Sequence, residues 1–227
     1  YNDYKYKALH FTDGGPWHPK YKNVEFGDLW LKELTYFEKF KLNFKPKTEV
    51  LCVTSFNYKL YKEYAHRFFK TFNWPFDLLI YSEEDLVFQD KRYKSLNILK
   101  CDKDFNKFIN TNKNRKVESF YFDGVRFSYK VFALVHAGLN FSNYKYLMWL
   151  DADIIFKKKI DFFNLEKYFI RKDSMMSYLG RINYHSECGF LIFNLSHDYI
   201  FDYLKEMRRM YISNDIYKEK EQHDSYI

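Results

Sequence analysis

The chain has 227 residues, 47% hydrophobic and 30% charged, which gives a sizeable folded core and excludes a disordered chain. Its net charge of +7 comes from scattered lysines with no arginine-rich arm, so nucleic acid is not an expected partner and the charge fits a solvated surface or a phosphorylated small molecule. No apolar run is long enough to span a bilayer. Three widely spaced cysteines, Cys52, Cys101 and Cys188, make neither a disulfide framework nor a metal-ligand spacing, which predicts a reducing, cytoplasmic compartment. The 25 Phe and 22 Tyr are read chiefly as core.

In chain order, residues 8–19 (ALHFTDGGPWHP) join a histidine on an apolar run to a glycine pair and Pro16-Trp17. KNVEFGDLWLKEL follows as a short helix, and LNFKPKTE reads as a linker extended by Pro46. Glu49 to Ser55 is a buried strand. In the next stretch Tyr61, Tyr64, Ala65, Phe68, Phe69 and Phe72 recur at helical spacing. After the Trp74-Pro75 turn, residues 76–82 form a second strand, so the three elements make a βαβ unit and a mostly parallel sheet. RFSYKVFALVHAG is a helix closed by Gly138, YKYLMWLDADIIF a strand ending in two aspartates, SMMSYLG and CGFLIFN further strands, and DYIFDYLKEMRRMY a covering helix. The fold class expected is α/β, a Rossmann-like mixed sheet flanked by helices.

The chemistry concentrates at Asp151 and Asp153. Residues i and i+2 share one face of a strand, and paired carboxylates at a sheet's rim suit Mn²⁺ or Mg²⁺. Such an ion can neutralise charge on a departing phosphate. A phosphatase also uses an aspartate pair after an apolar strand, but Ile154 and Ile155 stand where that family needs a Gly-Thr-like pair. Arg126 and Lys130 share a helix face upstream and could meet a diphosphate, or be an ordinary exposed pair. Thr54, Ser55 and Phe56, at the end of the first strand, could hold a nucleoside base or form a plain strand-end turn. Trp17 and Trp149 read as core and Cys188 as inert.

These residues resemble the nucleotide-sugar-dependent glycosyltransferases of the GT-A fold, above all glycosyltransferase family 8 and its viral and bacterial relatives. YLMWLDADIIF is similar to the family's strand leading into its Asp-x-Asp motif. HSECGFLIFNLS resembles its Asn-Ala-Gly-Val-x-x-Ile-Asn strand, with Glu187 where an Asn is usual. EQHDSYI resembles its Asp-Gln-Asp segment, with Asp224 on the final acid, and VTSFN its nucleoside loop. HFTDGGPW is similar to the terminal His-x-x-Gly-x-x-Lys-Pro-Trp motif, with Gly15 in place of the lysine that contacts phosphate. The resemblance implies a sugar moved from a nucleotide-diphosphate donor, UDP-linked by analogy, to a glycan or other hydroxyl acceptor. Asp151, Asp153 and His10 would hold the metal; Thr54, Ser55, Phe56 and Asp151 the donor; Glu187, Asp224, Arg126 and Lys130 would act in catalysis.

The motif order is displaced. Residues 1–47 resemble the tail of a preceding unit plus a linker, and residues 48–227 a GT-A domain lacking its own C-terminal end. Either the chain is a piece of a tandem array, or its opening segment closes its own site. A non-catalytic sugar- or nucleotide-binding fragment is the alternative function, with a metal-dependent phosphatase or nucleotidyltransferase behind it.

Overall fold

The structure, a computed structural model, describes residues 48–226. His10, Trp17 and the whole 1–47 segment lie outside the described residues.

The core is a six-stranded sheet. β1 (Val50–Ser55) and β4 (Tyr146–Leu150) are parallel neighbours at its centre. Both are almost wholly buried, as strands covered on two faces must be. β2 (Asp77–Ser82) and β3 (Tyr93–Asn97) extend the sheet from β1 in parallel. On the other side β6 (Glu187–Asn194) pairs antiparallel with both β4 and the edge strand β5 (Met176–Leu179). The spatial order is β3-β2-β1-β4-β6-β5. β6 is reversed because only residues 180–186 join it to β5, and a parallel pair needs a long crossover. Asn183, at φ 62°, supplies the left-handed turn in that connection.

Helices cover both faces. Between β1 and β2 the chain runs as α1 (Tyr58–Leu60), a π-helical turn (Tyr61–Ala65) and α2 (His66–Thr71). The Asn57 side chain caps its start by accepting from the Leu60 N–H at 3.0 Å. Ala65, Phe68 and Phe72 from this run pack on Val50, Cys52, Leu78, Ile80 and Met148. Residues at alternate positions, such as Leu51, Leu79 and Leu147, are equally buried on the other face. There lie α3 (Ile98–Cys101), α4 (Lys103–Asn112), α5 (Gly124–Asn140) and α7 (Ile200–Ile212), while α6 (Phe162–Phe169) follows β4 in the chain.

Gly138 does not close its helix: α5 continues to Asn140. A Cβ on Gly138 would stand 2.5 Å from Leu204 Cδ1 of α7, so the glycine serves close helix–helix approach. No helix among the described residues is long and apolar enough to cross a membrane.

The α5–sheet contact includes one polar pair, Tyr81 hydroxyl to His136 Nδ1 at 2.7 Å. Burial lowers the His136 pKa from 6.5 to about 4. The unfolded chain therefore binds more protons in that window, and stability falls as pH drops from about 6.5 toward 4. We expect this group to remove about 2 kcal/mol between pH 7 and pH 5. Urea unfolding of a His136→Gln variant should show a correspondingly shallower pH dependence; an unchanged slope would contradict the assignment.

Candidate functional site

Strand order reverses between β1 and β4, and the crevice beyond their carboxyl ends is where open α/β sheets take ligands. A cleft of about 800 Å³ lies there, and Ser55, Phe56, Arg126, Lys130, Asp151, Asp153, Glu187 and Asp224 all line it.

β4 stops at Leu150, so Asp151 and Asp153 are not placed by strand alternation. They sit on a turn in which the Ile154 N–H donates to the Asp151 carbonyl at 3.2 Å. The Asp151 N–H donates to Gly189 O at 2.9 Å and ties the turn to β6. Ala152 points into the core, while Asp153 is exposed on the cleft and makes no ion pair among the described residues.

Asp151 is more constrained. Its Oδ1 accepts from the Trp149 indole N–H at 2.5 Å and lies 3.5 Å from Lys130 Nζ. Burial raises its carboxyl pKa; Lys130 and the indole pull it down, and Asp224 and Asp153 push it further up. A carboxylate so crowded by negative neighbours is one that a second cation would favour. Its Oδ2 faces Gly189, where a Cβ would stand 3.0 Å from both that oxygen and Glu187 Oε1. The absent side chain leaves room beside the two converging carboxylates.

Lys130 is not an exposed charge. It is buried, and its ammonium donates to Asp224 Oδ2 at 2.5 Å and to the Cys188 carbonyl. One cation thus joins α5, the turn after β4, β6 and the 219–226 segment. Arg126, one turn earlier, is exposed on the cleft with its guanidinium 5.0 Å from the Phe120 ring centre. Glu187 opens β6, accepts from the Gly189 N–H at 2.9 Å and pairs with Arg181.

Of the nucleoside-loop candidates, Ser55 and Phe56 reach the cleft and Thr54 does not: it is fully buried, with no hydrogen-bond partner for its hydroxyl among the described residues. Phe56 is itself packed against Tyr61 and Phe69. Burial pushes the Cys188 thiol up, away from thiolate chemistry. His10 lies outside the described residues.

Sequence inspection missed Trp149, which is buried yet lines the cleft and holds Asp151. Its place two residues before Asp151 is the one sequence signal that points to it. It also missed Arg181, Tyr184 and the rings of Phe120 and Tyr121 at the cleft.

The donor set fits a hard divalent cation: two carboxylates on an open cleft, with space at Gly189 beside one of them. Among the described residues no third His, Cys, Asp or Glu donor joins this pair in a close cluster.

No family model matches the chain. Over 33 residues it is 52% identical to Protein CDI of Arabidopsis thaliana, a stretch covering 14% of this chain and 13% of that protein. A match of that length assigns neither family nor function.

Removing the Lys130 charge leaves Asp224 and Asp151 facing each other with their shared cation gone. We expect Lys130→Met to cost about 3 kcal/mol in urea unfolding, against less than about 0.5 kcal/mol for Arg126→Met on the exposed side of the same helix. Equal effects would contradict the assignment of Lys130 as the joining cation.

Proposed function

We propose that this chain is a metal-dependent glycosyltransferase of the GT-A type, moving a sugar from a nucleotide-diphosphate donor, UDP-linked, to an acceptor hydroxyl. The observation that carries the proposal is the convergence of Asp151 and Asp153 on one cleft at the strand-order switch, with cationic side chains beside them. The motif resemblance points the same way.

In this reading Asp151 and Asp153 hold Mn²⁺ or Mg²⁺, which when bound neutralises charge on the departing diphosphate. Asp153, exposed and without an ion-pair partner among the described residues, is the more adaptable ligand. Asp151 is held in one orientation by Trp149 and Lys130. Arg126 and Arg181, both on the cleft, supply positive charge toward phosphate oxygens. Ser55 and Phe56 at the end of β1 receive the nucleoside. Lys130 and Asp224 satisfy each other, so their role is to position Asp151 and the 219–226 segment. Glu187 lies on the cleft within reach of an incoming acceptor, where hydrogen-bond distance to the hydroxyl would let it steer or deprotonate that group. The three cysteines are free thiols, in keeping with a cytoplasmic setting.

The Lys130 ion pairs favour one second reading, since they already stabilise Asp151 and Asp224 without a metal. That reading is a nucleotide- or sugar-binding protein without turnover. Metal-independent donor binding with no product would support it over the first.

The test is release of nucleoside diphosphate from UDP-sugars in the presence of Mn²⁺. Asp153→Asn should lower the rate by about 100-fold or more, the scale of charge stabilisation a metal supplies. Its thermal unfolding should not change, because the side chain is exposed. Undiminished turnover in the variant would refute the metal role.

A further inference from the structure

Three more metal-capable side chains meet beside the cleft, two of which, His185 and His223, line it. His185 comes from the 180–186 connection; Glu221 and His223 come from the segment after the 3-10 turn Asp215–Lys218. One donor atom from each lies within 4.8 Å of the others. Glu221 Oε2 stands 3.1 Å from His185 Nε2 and 2.5 Å from His223 Nε2.

Several features distinguish this cluster from a chance surface grouping. His223 is buried, and its ring packs against Tyr121 at 5.3 Å, Phe127 at 6.1 Å and His185 at 4.8 Å between ring centres. These contacts fix the imidazole's orientation before any ligand arrives. The segment is anchored between Glu221 and His223 and again just after them: the Gln222 N–H donates to Tyr121 O at 2.7 Å, and Asp224 is held by Lys130. No Lys or Arg pairs with Glu221 among the described residues; its charge meets only the two imidazoles. Two imidazole nitrogens and one carboxylate form a donor set suited to borderline divalent ions, with zinc–ligand bonds of about 2.0–2.2 Å. Drawing three atoms already this close onto one ion needs a shift of about 1 Å.

We propose that His185, Glu221 and His223 form a second metal site, selective for Zn²⁺-class ions over Mg²⁺, that clamps the 180–186 connection to the 219–226 segment. The clamp joins the loop bearing Arg181 and Tyr184 to the segment bearing Asp224, and so sets the shape of that cleft wall. Its ligands are nitrogen-rich where the aspartate turn is all oxygen, so the two sites sort ions by ligand type. The proposal does not depend on the glycosyltransferase reading.

The experiment strips the full chain with a chelator and titrates it with Zn²⁺ against a chromophoric competitor in excess Mg²⁺. One equivalent should bind despite the Mg²⁺, and Co²⁺ in its place should give the visible absorption of a four-coordinate ion. His185→Gln and Glu221→Gln should each weaken binding by about 100-fold or more, while Asp153→Asn should leave it unchanged. His185 is exposed on the surface, so its variant reports on binding more than on folding. Absence of stoichiometric binding, wild-type affinity in either cluster variant, or loss of binding in Asp153→Asn would overturn the proposal.

Discussion

A single buried ammonium organises one end of this molecule. Lys130 reaches from α5 to carboxylates on two separate segments and to the backbone of a third. Burying an ammonium costs several kcal/mol unless it is paired and fully hydrogen-bonded, and here it has three oxygen partners. Without it, Asp151 and Asp224 would repel each other across the strand ends, and the 219–226 segment would lose its one ion-paired anchor to α5.

The same interaction leaves negative charge unspent. Asp151, Asp153, Glu187 and Asp224 all line the cleft, and Lys130 lies close to only two of them. Arg181 answers Glu187, and Asp153 has no counterpart among the described residues. Burial raises the Asp151 carboxyl pKa, and a rim with surplus carboxylate offers the oxygen donors that the proposed divalent ion would take. Exposed cationic and aromatic side chains at the same cleft extend the site toward a phosphorylated, ring-bearing ligand. That is the physical link from sheet topology to the proposed transferase.

Much of the sheet was legible because its central strands are continuous apolar runs. VLCVTS, DLLIYS and YLMWL could hardly be anything else once bounded by polar turns. β3, with the sequence YKSLN, was not legible: it lies at the sheet edge, half-buried, and carries no run or clean alternation. Gly138 read as a helix stop because glycine usually marks one, yet Leu204 on a distant segment decided its use. The aspartate pair was visible, but its geometry came from a turn and not from strand alternation. Lys130 shows the limit most clearly. Its spacing from Arg126 gave one shared helix face, whereas its burial depends on Asp224, 94 residues away, which no local pattern can reveal.

The central claim is that Asp151 and Asp153 hold a divalent ion against a diphosphate. Crystals soaked with Mn²⁺ and UDP test it most directly, through the anomalous signal of manganese. The account predicts one peak about 2.1–2.2 Å from oxygens of both aspartates, with diphosphate oxygens completing the shell. Manganese seated only at His185, Glu221 and His223, or a diphosphate bound with no ion at the aspartate turn, would contradict it.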